Sequence, residues 1–518
     1  MGFAFIDYIV IVVYLIGVAV FGILAAGRQR STSDYFLGGR RIPWWAVLFS
    51  VVATETSTLT FISIPAVAYG GNLTFLQITF GYILGRLIVA LFFLPAYQEG
   101  ELSTVYQFLA KRFGDSLRNV TSSTFMVTRL LADGVRLFAT AIPLAIILRL
   151  GGAFSHWGDF QIYAVAIIAI AGVTLVYVFL GGIKAVVWMD VIQLGVYVGG
   201  ALIAGGIILA RLPEGLHTAV SLAGEQGKLE FIRFGFDLPL REFLAEPYTF
   251  LTALIGGGVF SVASHGTDQL IVQRLLTTRN LRAGQKALIG SGIVVFFQFA
   301  FFLMIGLLLY GFYDGMSASQ LGLATTDEIF AKFIVEELPA GLSGLIVAAL
   351  FAAAMSSLSS SLNSLASATT MDLYKPYLGR ENTPEEDLRA SRIITIIWGV
   401  ILTGAAFIFA FLQLNAAGER PAVVELGLSI ASYTYGGLLG AFALGILSKR
   451  VERTDALIGF FTGLTAMLFL VKGPIQNLLP GQGLAIAWPL YTVVGSLIVV
   501  IVGLATQRLR GNREIEEH

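Results

Sequence analysis

The chain of 518 residues contains no cysteine. Disulfides, iron–sulfur clusters and cysteine nucleophiles are therefore excluded. Only 4 histidines are present, which argues against a histidine metal cluster. Charge is scarce as well: 13% of residues are charged, where a soluble domain carries about a quarter. The formal net charge is zero, so nothing favours nucleic acid electrostatically. No nucleotide-binding motif is found, and no cleavable signal peptide precedes the first apolar stretch, Ile6 to Ala26, which lacks a basic leader.

Apolar residues are what the chain has in excess. They make up 56% of it, and the mean hydropathy is +0.81. So little polar surface cannot solvate a chain of this length, and the apolar excess must face lipid. A helix of about 20 apolar residues crosses a bilayer, and only helices or closed barrels satisfy their backbone there. Runs this long are helical. The chain reads as about thirteen spans, at 5–27, 43–70, 74–98, 118–148, 160–181, 185–210, 247–273, 286–312, 340–370, 388–413, 423–446, 455–471 and 485–506. Basic clusters follow odd-numbered spans: Arg28, Arg30, Arg40 and Arg41; Lys111, Arg112 and Arg118; Arg274, Arg279, Arg282 and Lys286; Lys449, Arg450 and Arg453; and Arg508, Arg510 and Arg513. The segment 313–339 is acidic instead, with Asp314, Asp327, Glu328, Glu336 and Glu337. The positive-inside rule then predicts an outer N-terminus and a cytoplasmic C-terminus in a cell (plasma or inner) membrane.

Polar chemistry gathers at mid-depth. Span two carries Thr54, Glu55, Thr56, Ser57 and Thr58 in succession, then Thr60 and Pro65. Serine and threonine satisfy main-chain groups locally, so this stretch is expected to unwind and expose carbonyls to a cation. Helix-packing glue is the alternative, but Glu55 opposes it, because a carboxylate at that depth needs a partner or a ligand. In span nine, Ala353, Ser356, Ser357 and Ser360 fall at i, i+3, i+4 and i+7, one helix face of small neutral oxygens suited to a hard cation or to close packing.

Asp190 is either hydrated at the membrane edge or a cation ligand. In span four, Arg129, Asp133 and Arg136 share a face, so Asp133 neutralises one arginine and the other is left for a salt bridge or a solute carboxylate. Arg86 in span three either snorkels or pairs with Glu55. Span seven carries Gly256–Gly258, expected to mark a discontinuous helix five spans after span two, as an inverted repeat requires. Ser261, Ser264 and His265 follow it, and helix packing is the default account of that lone histidine.

At these residues the chain resembles the sodium:solute symporter family, whose members carry galactose, proline or sialic acid with sodium. The resemblance runs from about residue 5 to 450. Its marks are Asp34 to Arg40, Gly181 to Ala185 with Asp190 to Gln193, and Met355 to Ser357 with Met371 to Tyr374. It implies an all-α membrane protein with the leucine-transporter-type inverted repeat: a leading helix at 5–27, repeats at 43–210 and 247–446, trailing helices at 455–506 and a tail at 507–518.

The resemblance also implies a common sodium site at Ala53, Thr56, Ala353, Ser356 and Ser357, and a possible second site at Asp190, Ser356, Ser359 and Ser360. Sodium is the coupling ion and no other cofactor is expected. Candidate solute contacts are Glu55, Ser57, Thr60, Gln77, Arg136 and Ser261. Glu55 stands where proline-type members carry aspartate and sugar-type members asparagine. The asparagine and tyrosine of sugar transporters become Ser261 and Ser264, and their glutamine falls on Leu428, which weakens a sugar reading. The arginine of sialic acid transporters falls at Ala132, one turn from Arg129 and Arg136. The expected function is sodium-coupled symport of a small polar solute, leaning to a carboxylate or zwitterion. Proton coupling and sodium/sugar symport are the alternatives. A channel lacks its continuous polar pore, and an intramembrane enzyme lacks a nucleophile with a base.

Overall fold

The computed structural model describes residues 4–27, 29–100, 102–150, 156–323, 325–378, 382–414, 423–470 and 486–516. Arg28 and the span ends at 471 and 485 lie outside the described residues, as do the side chains of Leu428 and Arg513. Among the described residues there is no strand, only an isolated bridge between Ile42 and Thr278.

The principal helices are α1 (Phe5–Ala26), α2 (Trp44–Glu55), α3 (Thr58–Gly70), α4 (Ile78–Ile88), α5 (Asp115–Leu150), α6 (Asp159–Arg211), α7 (Phe250–Gly266), α8 (Gln269–Leu276), α9 (Leu281–Phe312), α10 (Leu342–Ala368), α11 (Pro384–Leu414), α12 (Val423–Leu447), α13 (Arg453–Leu470) and α14 (Pro489–Glu516). Ten helical stretches among the described residues are long and apolar enough to span a membrane, and eleven when the bent α2–α3 pair is counted. The expected thirteen differs for two physical reasons. The region of α5 predicted as span four carries Arg129, Asp133 and Arg136 and is absent from that set. Spans five and six are continuous as α6, of 53 residues. A straight helix of that length would run about 80 Å, far beyond the roughly 30 Å hydrocarbon core. Gly182, at φ 54°, interrupts it where two spans were expected to meet.

Gly182 also explains why two separated sequence marks belong together. A Cβ there would sit 2.3 Å from the Tyr35 carbonyl oxygen. The short helix Thr32–Leu37 docks at this point, with Tyr35 Oη 3.1 Å from the Val178 carbonyl and 3.2 Å from Thr395 Oγ1.

At the centre stands α10, buried at every residue from Ile346 to Ala368. Lipid-facing surfaces lie elsewhere, where Phe297, Val400 and Ile408 are more than half exposed. The leading helix is tied to the centre: Asp7 Oδ1 accepts 2.7 Å bonds from the amides of Gly341 and Gly344 at the start of α10.

Two further breaks fall in the core. The first break is the expected one: α2 stops at Glu55, Thr56 and Ser57 are extended, and the chain turns through 60° into α3. The second corrects the glycine reading. Gly256–Gly258 lie within the unbroken α7, and the helix ends instead at Gly266, with Thr267 and Asp268 before α8. The glycines serve close packing, because a Cβ at Gly81 would lie 2.6 Å from the Gly258 nitrogen and one at Gly257 would lie 2.7 Å from Ile78 Cγ1.

Candidate functional site

The break in α2 faces the serine face of α10. Ala53, Thr56, Ala353 and Ser356 line one small cavity, closed on the α6 side by Leu194 and Tyr197. Unwinding is stabilised as the sequence implied: Thr56 Oγ1 donates to the Val52 carbonyl at 2.7 Å, and Gln298 Nε2 donates to Thr56 Oγ1 at 2.7 Å. Ser57 and Thr60 meet at the start of α3, where the Ser57 amide donates to Thr60 Oγ1 at 3.3 Å. Ser357 is one residue, about 100° of helix, further round. It lines a second cavity with Asp133, Arg136 and Thr140, and its buried Oγ has no hydrogen-bond partner.

Asp190 is not hydrated at a membrane edge; it is wholly buried. Its Oδ1 accepts from Ser356 Oγ at 2.7 Å, and its Oδ2 from Ser50 Oγ at 2.5 Å and from Arg274 Nη2 at 3.1 Å. Arg274, expected among the cytoplasmic loop charges, is equally buried. It also donates to Ser360 Oγ and, from Nε, to Ser50 Oγ at 2.8 Å. Ser359 Oγ donates to the Ser356 carbonyl at 3.0 Å. The structure thus gathers Asp190, Ser356 and Ser360, with a guanidinium among them. A carboxylate and a guanidinium so enclosed require each other, because losing either leaves an uncompensated buried charge.

Glu55 is the second junction. Arg86 Nη2 donates to its Oε2, and His265 Nε2 lies 2.7 Å from its Oε1. Pairing with Glu55, not snorkelling, is the fate of Arg86, which is fully buried. His265 is more than packing: its Nδ1 lies 2.8 Å from Ser264 Oγ and 3.1 Å from the Ser261 carbonyl. Ser261 Oγ donates to the Tyr82 carbonyl at 3.0 Å.

The span-four charges have a partner that the sequence reading missed. Asp268, at the break between α7 and α8, accepts from Arg129 Nε at 3.1 Å and from Tyr435 Oη at 2.6 Å. Asp133 is 3.4 Å from Arg129 Nη1, 4.0 Å from Arg136 Nη1, and accepts from Ser361 Oγ at 2.6 Å. Two arginines therefore meet two aspartates, and Arg136 is the more loosely held, with 27% of its side chain exposed. The missed signal was local: an aspartate after Gly266-Thr267 and before an apolar helical run is an N-cap pattern, and Asp268 Oδ1 indeed accepts from the Leu270 amide. Gln77 sits apart from these groups, its Nε2 donating to the Tyr248 carbonyl at 2.8 Å and its Oε1 accepting from the Arg233 amide at 3.2 Å.

Comparison with known proteins fits this arrangement. The model of the "Sodium:solute symporter family" matches residues 35–463. The sodium/sialic acid symporter NanT of Aliivibrio fischeri is 30% identical over 522 residues, spanning 99% of this chain and 96% of that protein. The sodium/sialic acid symporter SiaT of Proteus mirabilis is 29% identical, with 98% and 96% covered. The human sodium/iodide cotransporter is 28% identical, with 88% and 68% covered. Among solved structures, a substrate-bound, outward-open Na+-coupled sialic acid symporter superposes with a TM-score of 0.82 at 28% identity over 98% of both chains. MhsT in complex with L-phenylalanine, at 15% identity and a TM-score of 0.50 over 92% and 99% of the two chains, shares the fold alone.

Proposed function

The chain belongs to the sodium:solute symporter family, and from that premise we propose that it imports a solute bearing a carboxylate, as an acid or a zwitterion. It is a multi-pass membrane protein and a sodium-coupled symporter of a small organic solute, not an enzyme. What carries the reading of its coupling site is one cavity shared by an unwound segment and a serine face, lined by Ala53, Thr56, Ala353 and Ser356. In this reading the carbonyls of Ala53, Thr56 and Ala353 and the hydroxyl of Ser356 hold the sodium ion, with Ser357, which lines the neighbouring cavity, as a further candidate ligand. A second ion at Asp190, Ser356, Ser359 and Ser360 would have to displace Arg274 from Asp190 and Ser360.

The lean to an acidic solute rests on Arg136. It is partly exposed and lines a cavity with Ser357, whose hydroxyl is unpartnered. A guanidinium grips a carboxylate through two parallel bonds, which orients as well as binds. Glu55, Ser57 and Thr60 border the α2 break and, with Ser261 one turn before His265 on α7, complete the proposed solute site, with Gln77 a more distant candidate. The proposed topology keeps the N-terminus outside and the C-terminus in the cytoplasm of the cell membrane. The two repeats, 43–210 and 247–446, form the moving core between the leading helix and the trailing pair.

The test is uptake by proteoliposomes offered N-acetylneuraminate, L-proline or D-galactose. Sodium is replaced by choline at fixed pH. Sodium-dependent uptake of the acid or the zwitterion is expected. Uptake of galactose alone would overturn the carboxylate reading, and uptake that survives choline and follows a pH gradient would overturn the sodium site.

A further inference from the structure

Both interrupted helices end at one place. Glu55 is the last residue of α2, and His265 is the penultimate residue of α7. A helix C-terminus leaves its final carbonyls without intrahelical partners and carries about half a negative charge. Two such ends and the Glu55 carboxylate put negative charge together in the membrane interior, where an uncompensated carboxylate is costly. The permanently charged partner sits on neither broken helix. Arg86, on α4, donates through Nη2 to Glu55, and its Nε lies 3.2 Å from His265 Nε2. Among the described residues, Arg86 and His265 are the basic groups within ion-pair distance of Glu55.

The place is shaped for this cation. A Cβ on Gly292 of α9 would lie 3.1 Å from Arg86 Cδ and 3.2 Å from Nη1, so the glycine leaves the guanidinium its room. Yet Nη1 is buried and has no hydrogen-bond partner. A side chain chosen for its hydrogen bonds alone would not leave one of its donor nitrogens bare, since a buried donor without an acceptor is destabilising. What the position uses is the positive charge. Around it are the two Glu55 oxygens, one held by Arg86 and the other by His265, donors of the kind a hard cation takes.

We propose that Arg86 is a tethered cation filling a monovalent-cation site between the ends of the two interrupted helices. The site is distinct from the cavity at Ala53 and Ser356. Removing the guanidinium leaves a vacant carboxylate site that a sodium ion enters. The chain would then bind one more sodium ion than the wild type does. The inference rests on the sodium-coupled reading above, but its readout is a difference between two proteins.

The experiment counts radioactive sodium bound at equilibrium by the purified full-length protein, without solute. Wild type, Arg86→Met, and Arg86→Met with Glu55→Gln are compared. The expected result is one additional ion per chain in Arg86→Met, lost again in the double variant. An unchanged count in folded Arg86→Met would overturn the tethered-cation role. An ordinary structural ion pair predicts that outcome, with lost stability restored by Glu55→Gln. Should Arg86→Met fail to fold, Arg86→Lys decides: a charge requirement predicts a folded protein with the wild-type count, and an unfolded lysine variant overturns the proposal. Wild-type protein that binds no sodium would instead reject the sodium-site reading, leaving the gain in Arg86→Met to be read by itself.

Discussion

Arg274 Nη2 lies 3.1 Å from Asp190 Oδ2, and neither side chain is exposed at all. The pair links α8, which follows the second break, to α6, and through Ser356 and Ser360 it reaches α10. Asp190→Asn leaves the guanidinium uncompensated and should cost about 3–5 kcal/mol of stability. Pairing it with Arg274→Met should recover most of that loss. Thermal unfolding of the detergent-solubilised single and double variants checks this. A single variant that melts like the wild type would show that the charge is compensated from elsewhere.

Sodium dependence should run through Ser356. The hydroxyl belongs to both proposed ion sites, and it already donates to Asp190 at 2.7 Å. Ser356→Ala is expected to raise the half-saturating sodium concentration of uptake by roughly tenfold, the equivalent of about 1.4 kcal/mol. Unchanged activation in a correctly inserted variant sinks the assignment. If Asp190 also ligates an ion, a folded Asp190→Asn protein moves fewer sodium ions per solute, read from the reversal potential in proteoliposomes.

Arg136 should matter for the solute's anionic group. Arg136→Lys keeps the charge but loses the fork, so affinity should fall by about tenfold, and Arg136→Gln should lose more. Solute affinity is the measurement, repeated with Asp133→Asn added, because Asp133 lies 4.0 Å away. Restoration by that second change would leave a salt bridge as the whole explanation.

At Gly182 no side chain fits. Its φ of 54° is strained for an L-residue, and the Tyr35 carbonyl stands 2.3 Å from where a Cβ would be. Gly182→Ala should therefore destabilise by several kcal/mol, seen as loss of monodisperse protein in size-exclusion chromatography. Tyr35→Phe should be milder, costing about 1 kcal/mol for its hydroxyl contacts. Equal behaviour of the two would place the strain elsewhere.

The leading helix should be felt by the helix that bears the serine face. Asp7→Ala leaves the amides of Gly341 and Gly344 without their acceptor, at a cost of about 1–3 kcal/mol, whereas Asp7→Asn keeps an oxygen there and should cost less. Melting temperatures of the two variants provide the comparison.

Much of this protein was legible in one dimension. Its membrane class follows from composition, because 56% apolar and 13% charged residues leave no other way to solvate the surface. The first break was legible too, because Thr54 to Thr58 carry their own hydrogen-bonding oxygens and can leave the helix locally. The serine face of α10 follows from helical periodicity alone. The second break was misplaced, because a glycine run has the same appearance whether it loosens a helix or admits a neighbour. Only the closeness of Ile78 and Gly81 decides for packing. The partners of the buried charges were the least legible. Arg129 finds Asp268 across 139 positions, and His265 finds Glu55 across 210. Which buried charge meets which depends on helices crossing in space, and no local pattern of residues encodes that distance.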